Sequence, residues 1–577
     1  MRLNALAVMA AAYDSYEISR LPSCLEGTRV ELLEDLMGWV SSENRNQSIY
    51  ILYGVAGAGK STIAKTVAER AAQENALGAT FFFSRRAPNR KTARWLFPTL
   101  AHHLVHYSNE FARSINEVLE EDLNAARRGI QKQFESLIAR PFHLAIATQT
   151  PILIIIDALD ECDEEGARII LALLAHKMPK SSRLKVFITA RPERHIRTAL
   201  NHYRHYQQFH MQDIEQLAVE ADIRRYLDVR LSQGMHDLFP RIPPPWQPTR
   251  QQITALVRLS GKLFIVASTA VRFILDPTQT VSGSSDEKVR LWDGRSGRPI
   301  GEPLHGHSGS LRSVAFSSDG RIVSGSSDHT IPIWDGVSAP AKQISKLLDG
   351  ISAKDFHYAE EMDKVYTLII RSARPDPAVD WSRRFQKIVG AIVLLQDPLT
   401  CEALAKLLNA EVDEVCRTLS NLHSLLTASE RDGTFWIYHK SFTDFITNQE
   451  RCYLDPEFYI NPALHHMRIA GGCLRMMNDN LTFNMCNLEA GEEYKGMQPQ
   501  GRARNTIPPQ LAYACIHWAS HLVAGLEDDA GLNGEIRQLL EPFANQRLLN
   551  WLEALSIVGR VDTAYSSLYS ALVTIPL

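Results

Sequence analysis

The eight cysteines of this 577-residue chain form no C-x-x-C pair and no zinc-ligand spacing. They stand at 24, 162, 401, 416, 452, 473, 486 and 515, too scattered for a disulfide framework, and read as reduced thiols of a cytoplasmic protein. Long apolar runs are also missing. None approaches the roughly 18 residues that a membrane-spanning helix needs, so no membrane span is expected. Charge of one sign is absent too. With 62 basic and 65 acidic residues the net charge is −3, which leaves no electrostatic footprint for nucleic acid or acidic lipid. Residues 3–12 are apolar and follow Arg2, as in a signal peptide. They are short and Ala-rich, and pass straight into Tyr13-Asp14-Ser15-Tyr16-Glu17, so the end of a helix or a linker is the preferred reading. Residues 1–22 carry no motif and read as a leader.

What is present centres on Gly54-Val55-Ala56-Gly57-Ala58-Gly59-Lys60-Ser61-Thr62, which fits G-x-x-x-x-G-K-[ST], the phosphate loop. Residues 48–53 before it are apolar and predict a buried strand. Residues 60–72 after it carry Ile63, Val67 and Ala71 at helical spacing. Glycines in such a loop let backbone N–H groups turn inward around phosphate oxygens, and the helix N-terminus adds its positive dipole end. Lys60 is expected to reach the β- and γ-phosphates of ATP or GTP, and Ser61 to offer its hydroxyl to Mg²⁺.

Two further strands serve this loop. In Pro151-Ile152-Leu153-Ile154-Ile155-Ile156-Asp157-Ala158-Leu159-Asp160-Glu161 an apolar run ends on a carboxylate. That places Asp157 at the carboxyl edge of a parallel sheet, where ligands bind. Asp157 is expected to hold Mg²⁺, directly or through water, and Asp160 or Glu161 to orient an attacking water. Asp163 reads as the N-cap of the following helix. A third buried strand, residues 184–190, leads into Arg191-Pro192, and Arg191 is placed to sense a γ-phosphate. The alternative for Arg191 is a surface arginine in a strand-to-helix loop.

Together these stretches resemble the NACHT branch of signal-transducing P-loop NTPases, and fungal NACHT proteins fused to WD40 repeats most of all. The marks are the small residue after the metal aspartate in Asp157-Ala158-Leu159-Asp160-Glu161, and Thr189-Ala190-Arg191-Pro192, similar to that family's arginine sensor. Gly27-Thr28-Arg29 resembles its adenine-side segment. The resemblance covers the chain from about residue 24. It implies a P-loop α/β domain over 23–213, then a helical domain in two parts, 214–280 and 342–380. A winged-helix-like domain over 381–452 and a C-terminal helical domain over 453–577 follow.

Residues 281–341 break that order. Val281-Ser282-Gly283-Ser284-Ser285-Asp286 recurs as Val323-Ser324-Gly325-Ser326-Ser327-Asp328, and Trp292-Asp293 as Trp334-Asp335, both at a shift of 42 (323 − 281; 334 − 292). This internal repeat resembles WD40 sequence. His307, Asp328, Trp334 and a serine of 323–326 match the hydrogen-bonded set that locks such a blade. One full repeat and part of another cannot close a propeller, which takes at least four blades. A small exposed β-module inserted into the helical domain is therefore expected.

In the winged-helix-like stretch Thr400 predicts an N-cap. Glu411, Asp413 and Glu414 against Arg417 give its second helix the wrong sign for DNA phosphates, so no nucleic-acid partner is expected. Tyr438-His439-Lys440-Ser441-Phe442 resembles the family segment in which a histidine contacts the β-phosphate of a bound diphosphate. His439 alternatively holds the wing against a helix. The resemblance implies a nucleotide-dependent switch with slow hydrolysis, acting through protein partners and a nucleotide-dependent homo-oligomer. A non-catalytic scaffold using the WD40 segment, or a recombined family member without signalling activity, are the alternatives.

Overall fold

The structure is a computed structural model. It describes residues 7–42, 48–85, 87, 89–144, 151–177, 184–200, 206–238, 247–275, 279–293, 303, 305–316, 322–334, 339–351, 361–374, 380–429, 433–485, 507–526 and 534–574. The chain forms two compact units, Met1–Arg230 with Ile253–Ser268, and Leu231–Gln252 with Thr269–Leu577.

The first unit is built on five parallel strands: β1 (Ile49–Tyr53), β2 (Leu77–Phe82), β3 (Ile152–Asp157), β4 (Leu184–Ala190) and β5 (Tyr206–His210), in the order β2-β3-β4-β1-β5. The inner strands are apolar throughout because helices cover both faces. Alternation along β1 sorts its residues. Ile49, Ile51 and Tyr53 face one core with Phe81, Ile154 and Ile188, while Tyr50 and Leu52 face the other with Ile155 and Phe187. Helices Val30–Ser41 and Lys60–Gln73 close the second face. Helices Leu96–Tyr107, Asn109–Glu121 and Glu164–Lys177 close the first.

Edge strand β5 reads Tyr-Gln-Gln-Phe-His and is partly exposed, as an edge allows. Edge strand β2 is almost wholly buried, and the residues before the expected domain explain why. Val8, Ala11 and Ala12 are buried. The Val8 N–H donates to Thr99 Oγ1 at 2.9 Å and the Tyr13 N–H to Thr80 Oγ1 at 3.0 Å. Lys65 Nζ donates to the carbonyls of Ser19 and Leu21 at 3.1 and 2.5 Å. The stretch read from sequence as a leader thus covers a sheet edge that would otherwise expose unpaired peptide groups.

The second unit is mainly helical. Residues 253–268 belong to the first unit, and there helices Arg250–Ser260 and Phe264–Ile274 are divided at Gly261, whose φ of +55° ends the first in a left-handed residue. The Pro-rich stretch 239–248 falls largely outside the described residues. Antiparallel strands β6 (Gln279–Gly283) and β7 (Val289–Asp293) form a hairpin. Strands β8 (Leu311–Phe316), β9 (Ile322–Ser326) and β10 (Ile333–Trp334) form a three-stranded sheet in the order β10-β9-β8. The 42-residue repeat is visible in the backbone. Glu287 and His329 both take a left-handed φ, +69° and +65°, and 329 − 287 is again 42. His307 meets Asp328 Oδ2 at 2.7 Å through Nδ1 and Ser324 Oγ at 2.8 Å through Nε2. The Trp334 side chain lies outside what is described.

Further along, helices Trp381–Leu394, Cys401–Leu408 and Val412–Ser420 accompany a three-stranded antiparallel sheet of β11 (Leu399–Thr400), β12 (Leu426–Ala428) and β13 (Thr434–Ile437). Thr400 Oγ1 accepts from the Ala403 N–H at 3.2 Å, the cap its sequence position predicts. Helices Pro462–Asn480, Pro509–Leu526 and Asp562–Thr574 dominate the remainder.

Candidate functional site

Strand order decides which loops meet. The inner neighbours β3, β4 and β1 all run the same way, so their carboxyl ends open onto one edge of the sheet. The Tyr53–Ala190 pairing puts Gly54 beside Arg191, and Asp157 ends the next strand but one. The Gly54 N–H donates across to the Ala190 carbonyl at 3.2 Å.

Residues 54–59 then turn into helix Lys60–Gln73. Gly57 and Gly59 take φ of +79° and +98°, a region a side chain enters only with strain. Gly59 is the N-cap and supplies no side chain, so nothing from the cap residue covers the first-turn N–H groups. The Gly57 carbonyl accepts from the Ile265 N–H at 3.2 Å, and the buried Ala58 has its carbonyl 3.5 Å from Arg29 Nη2. Lys60 Nζ donates to the carbonyls of Gly54 and Val55 at 2.6 and 3.0 Å. Burial pulls its pKa down, and Asp160 is the strongest charge acting against that. Thr62, one position past Ser61, accepts through its carbonyl from Thr66 Oγ1 at 2.8 Å.

Asp157 is 2% exposed. Burial pushes its carboxyl up to about 6, against hydrogen bonds from Thr189 and Ser61 and the charge of Lys60 that favour ionisation. Thr189 is the residue sequence reading passed over at this point. Its Oγ1 donates to Asp157 Oδ1 at 2.5 Å and accepts from the Ala158 N–H at 2.9 Å. It thereby fixes the carboxylate and the turn after it together. That turn is left-handed at Ala158, φ +55°, where a β-branched residue would be strained.

The acidic pair divides its work. Asp160 is buried, and it accepts from the Arg191 N–H at 3.1 Å through Oδ1 while Oδ2 stands 3.2 Å from Arg191 Nε. Glu161 Oε2 accepts from the Arg85 N–H at 3.0 Å. Asp163 caps helix Glu164–Lys177 through Oδ2, which accepts from the Gly166 N–H at 2.8 Å.

Lys60, Ser61, Asp157, Asp160, Glu161 and Arg191 are therefore one constellation within the first unit. His439 belongs to the second unit. There it caps helix Lys440–Ile446, its Nδ1 accepting from the Ser441 N–H at 3.1 Å and meeting Ser441 Oγ at 2.7 Å. Arg29, buried, with its backbone N–H donating to Asp222 Oδ2 at 3.1 Å and its guanidinium 4.8 Å from the Phe264 ring, was seen in sequence only as part of a short resembling segment.

The family model described as Nephrocystin 3, N-terminal, matches residues 27–191, from just before Arg29 to Arg191. The model described as WD domain, G-beta repeat, matches residues 297–335. Comparison with curated proteins gives no match. Among the described residues no helix is long and apolar enough to cross a membrane.

Proposed function

We propose that this chain is a nucleotide-dependent switch of the NACHT class, binding ATP or GTP with Mg²⁺ at the carboxyl edge of the parallel sheet. The observation that carries the reading is the convergence of Lys60, Ser61, Asp157, Asp160 and Arg191 at the mouth of one glycine loop. The residues fit an anionic ligand. The loop has two left-handed glycines, the helix start lacks a side-chain cap, and a Cβ built at Gly59 meets no atom within 4 Å. Among the described residues no group of three or more His, Cys, Asp or Glu could hold a metal by itself. A magnesium ion here therefore takes oxygens from phosphate as well as from Ser61 and Asp157, the usual arrangement for this ion.

In this reading Lys60 exchanges its loop carbonyls for phosphate oxygens. Ser61 and Asp157 would hold a magnesium ion, which would supply charge neutralisation at the phosphates. Asp160 holds Arg191 toward the γ-phosphate, and Glu161 orients the water. Turnover is slow and resets the switch. The WD repeat supports protein partners, and nucleotide exchange would release a surface for homo-oligomer formation. Chromatography and mass spectrometry of whatever nucleotide copurifies with the full chain test this reading. A bound di- or triphosphate supports it. A preparation free of nucleotide that also fails to take up added ATP or GTP overturns it.

A further inference from the structure

Ser84, Arg85, Ala87 and residues 89–91 follow β2, and Arg85 and Lys91 contact the acidic turn without belonging to it. The stretch is closed on itself: the Ser84 N–H donates to the Arg90 carbonyl at 3.0 Å, and the Arg90 N–H to the Ala87 carbonyl at 2.8 Å. It is also stitched to the turn after β3. The Arg85 N–H donates to Glu161 Oε2 at 3.0 Å, Arg85 Nη2 donates to the Asp160 carbonyl at 2.6 Å, and the Asp163 N–H donates to the Lys91 carbonyl at 3.0 Å. Arg85 Nη2 also stands 3.7 Å from Glu193 Oε1, two residues beyond Arg191. One arginine thus touches the backbone of Asp160, the carboxylate of Glu161 and the segment that carries Arg191.

We propose that Arg85 is a positioning residue for turnover, aiming the Glu161 carboxylate and bracing the Asp160–Glu161 turn against the Arg191 segment. This rests on the nucleotide-switch reading above. The chemistry is directional. The backbone N–H of residue 85 stays on Glu161 Oε2 whatever side chain stands there, so the part that belongs to the arginine side chain is its grip on the turn that carries Glu161. The guanidinium holds the Asp160 carbonyl, so the peptide leading into Glu161 cannot rotate without breaking a charge-assisted bond. Arg90 extends the brace, since its Nη1 donates to the Ala10 carbonyl at 3.1 Å, in the N-terminal stretch that covers β2. The Arg85 side chain is about half exposed, 52% at the surface, so its removal takes little apolar packing with it.

The test measures nucleotide affinity and steady-state hydrolysis on the full chain carrying Arg85→Ala or Arg85→Lys. Misaiming a catalytic group by an ångström costs up to about a hundredfold in rate. The expected result is kcat lowered about 10- to 100-fold in Arg85→Ala at unchanged nucleotide affinity and KM, with Arg85→Lys in between, because a lysine keeps one donor for the Asp160 carbonyl. Binding and turnover equal to wild type in Arg85→Ala would overturn this inference alone. So would an affinity loss as large as the rate loss, since that marks a structural role. So would binding without any turnover in the wild type. A wild-type chain that binds no nucleotide would overturn the switch reading and this inference with it.

Discussion

Asp157→Asn should make the protein more stable and less functional, with the gain in stability depending on pH. An aspartate in an unfolded chain titrates near 3.8, whereas Asp157 in its buried place titrates at about 6. Each pH unit between the two is worth about 1.4 kcal/mol. Ionising Asp157 in the folded unit therefore costs about 3 kcal/mol at neutral pH. The sign follows from proton counts. Below about pH 4 both states hold the proton and the residue is neutral in its effect. Between about 4 and 6 the folded state keeps a proton that the unfolded state has lost, so stability falls as pH rises. Above about 6 the whole cost is present. Asparagine keeps an oxygen for the Thr189 hydroxyl and cannot ionise, so it escapes the cost.

Thermal melts of both proteins from pH 4.5 to 7.5 read this directly. At roughly 2–4 °C per kcal/mol for a unit of this size, the variant should melt about 6–12 °C higher at pH 7.5 and only about 2–4 °C higher at pH 4.5, where about 1 kcal/mol of the cost is present. Added Mg²⁺ with nucleotide should raise the wild-type Tm more than that of the variant, because in the proposed function the charge that costs stability would also hold the metal. A melting difference that does not change with pH, or a variant that melts lower at pH 7.5, would refute the reasoning.

Glu161→Gln should keep nucleotide affinity and slow hydrolysis by about a hundredfold, the lower end of what a positioned general base contributes; equal turnover in single-turnover assays would remove Glu161 from the chemistry. Deleting residues 281–341, joining Thr280 to Lys342, should leave Tm unchanged or raise it, since a blade without neighbours has little apolar surface to offset the ordering of about sixty residues. A deletion that melts far lower, or hydrogen exchange showing strong protection across β8 to β10, would make the WD segment integral to the unit.

The parts of the fold legible in sequence were those whose causes are local. β1, β3 and β4 are apolar because they are covered on both faces, and a run such as Ile152–Ile156 can be read without knowing what covers it. The 42-residue repeat read in the sequence recurs in the backbone as the paired left-handed residues Glu287 and His329, since a repeated sequence repeats its backbone. What stayed hidden depends on distant partners. Residues 8–13 look like a leader until Thr99 and Thr80, 91 and 67 positions away, are seen to accept their N–H groups. The helices between residues 96 and 144 carry no motif, and sequence reading left that stretch unassigned. At the site, the apolar run before Asp157 and the glycine loop pointed to residues that the structure brings together at one sheet edge. Thr189 and Arg85 could not be found that way, because a hydroxyl and a guanidinium acquire their roles only once β4 and the end of β2 lie beside β3.

The central claim is that the glycine loop binds a nucleoside triphosphate through Lys60. Titration of a fluorescent ATP or GTP analogue into wild type and Lys60→Ala, with Mg²⁺ and with circular dichroism to confirm equal folding, tests it most directly. Lys60 Nζ bonds only to the loop carbonyls of Gly54 and Val55 in the hydrogen bonds described, so the fold should tolerate its loss. Saturable binding by the wild type, abolished in the folded variant, is the predicted result. Equal affinity in the two proteins, or no binding by the wild type, would contradict it.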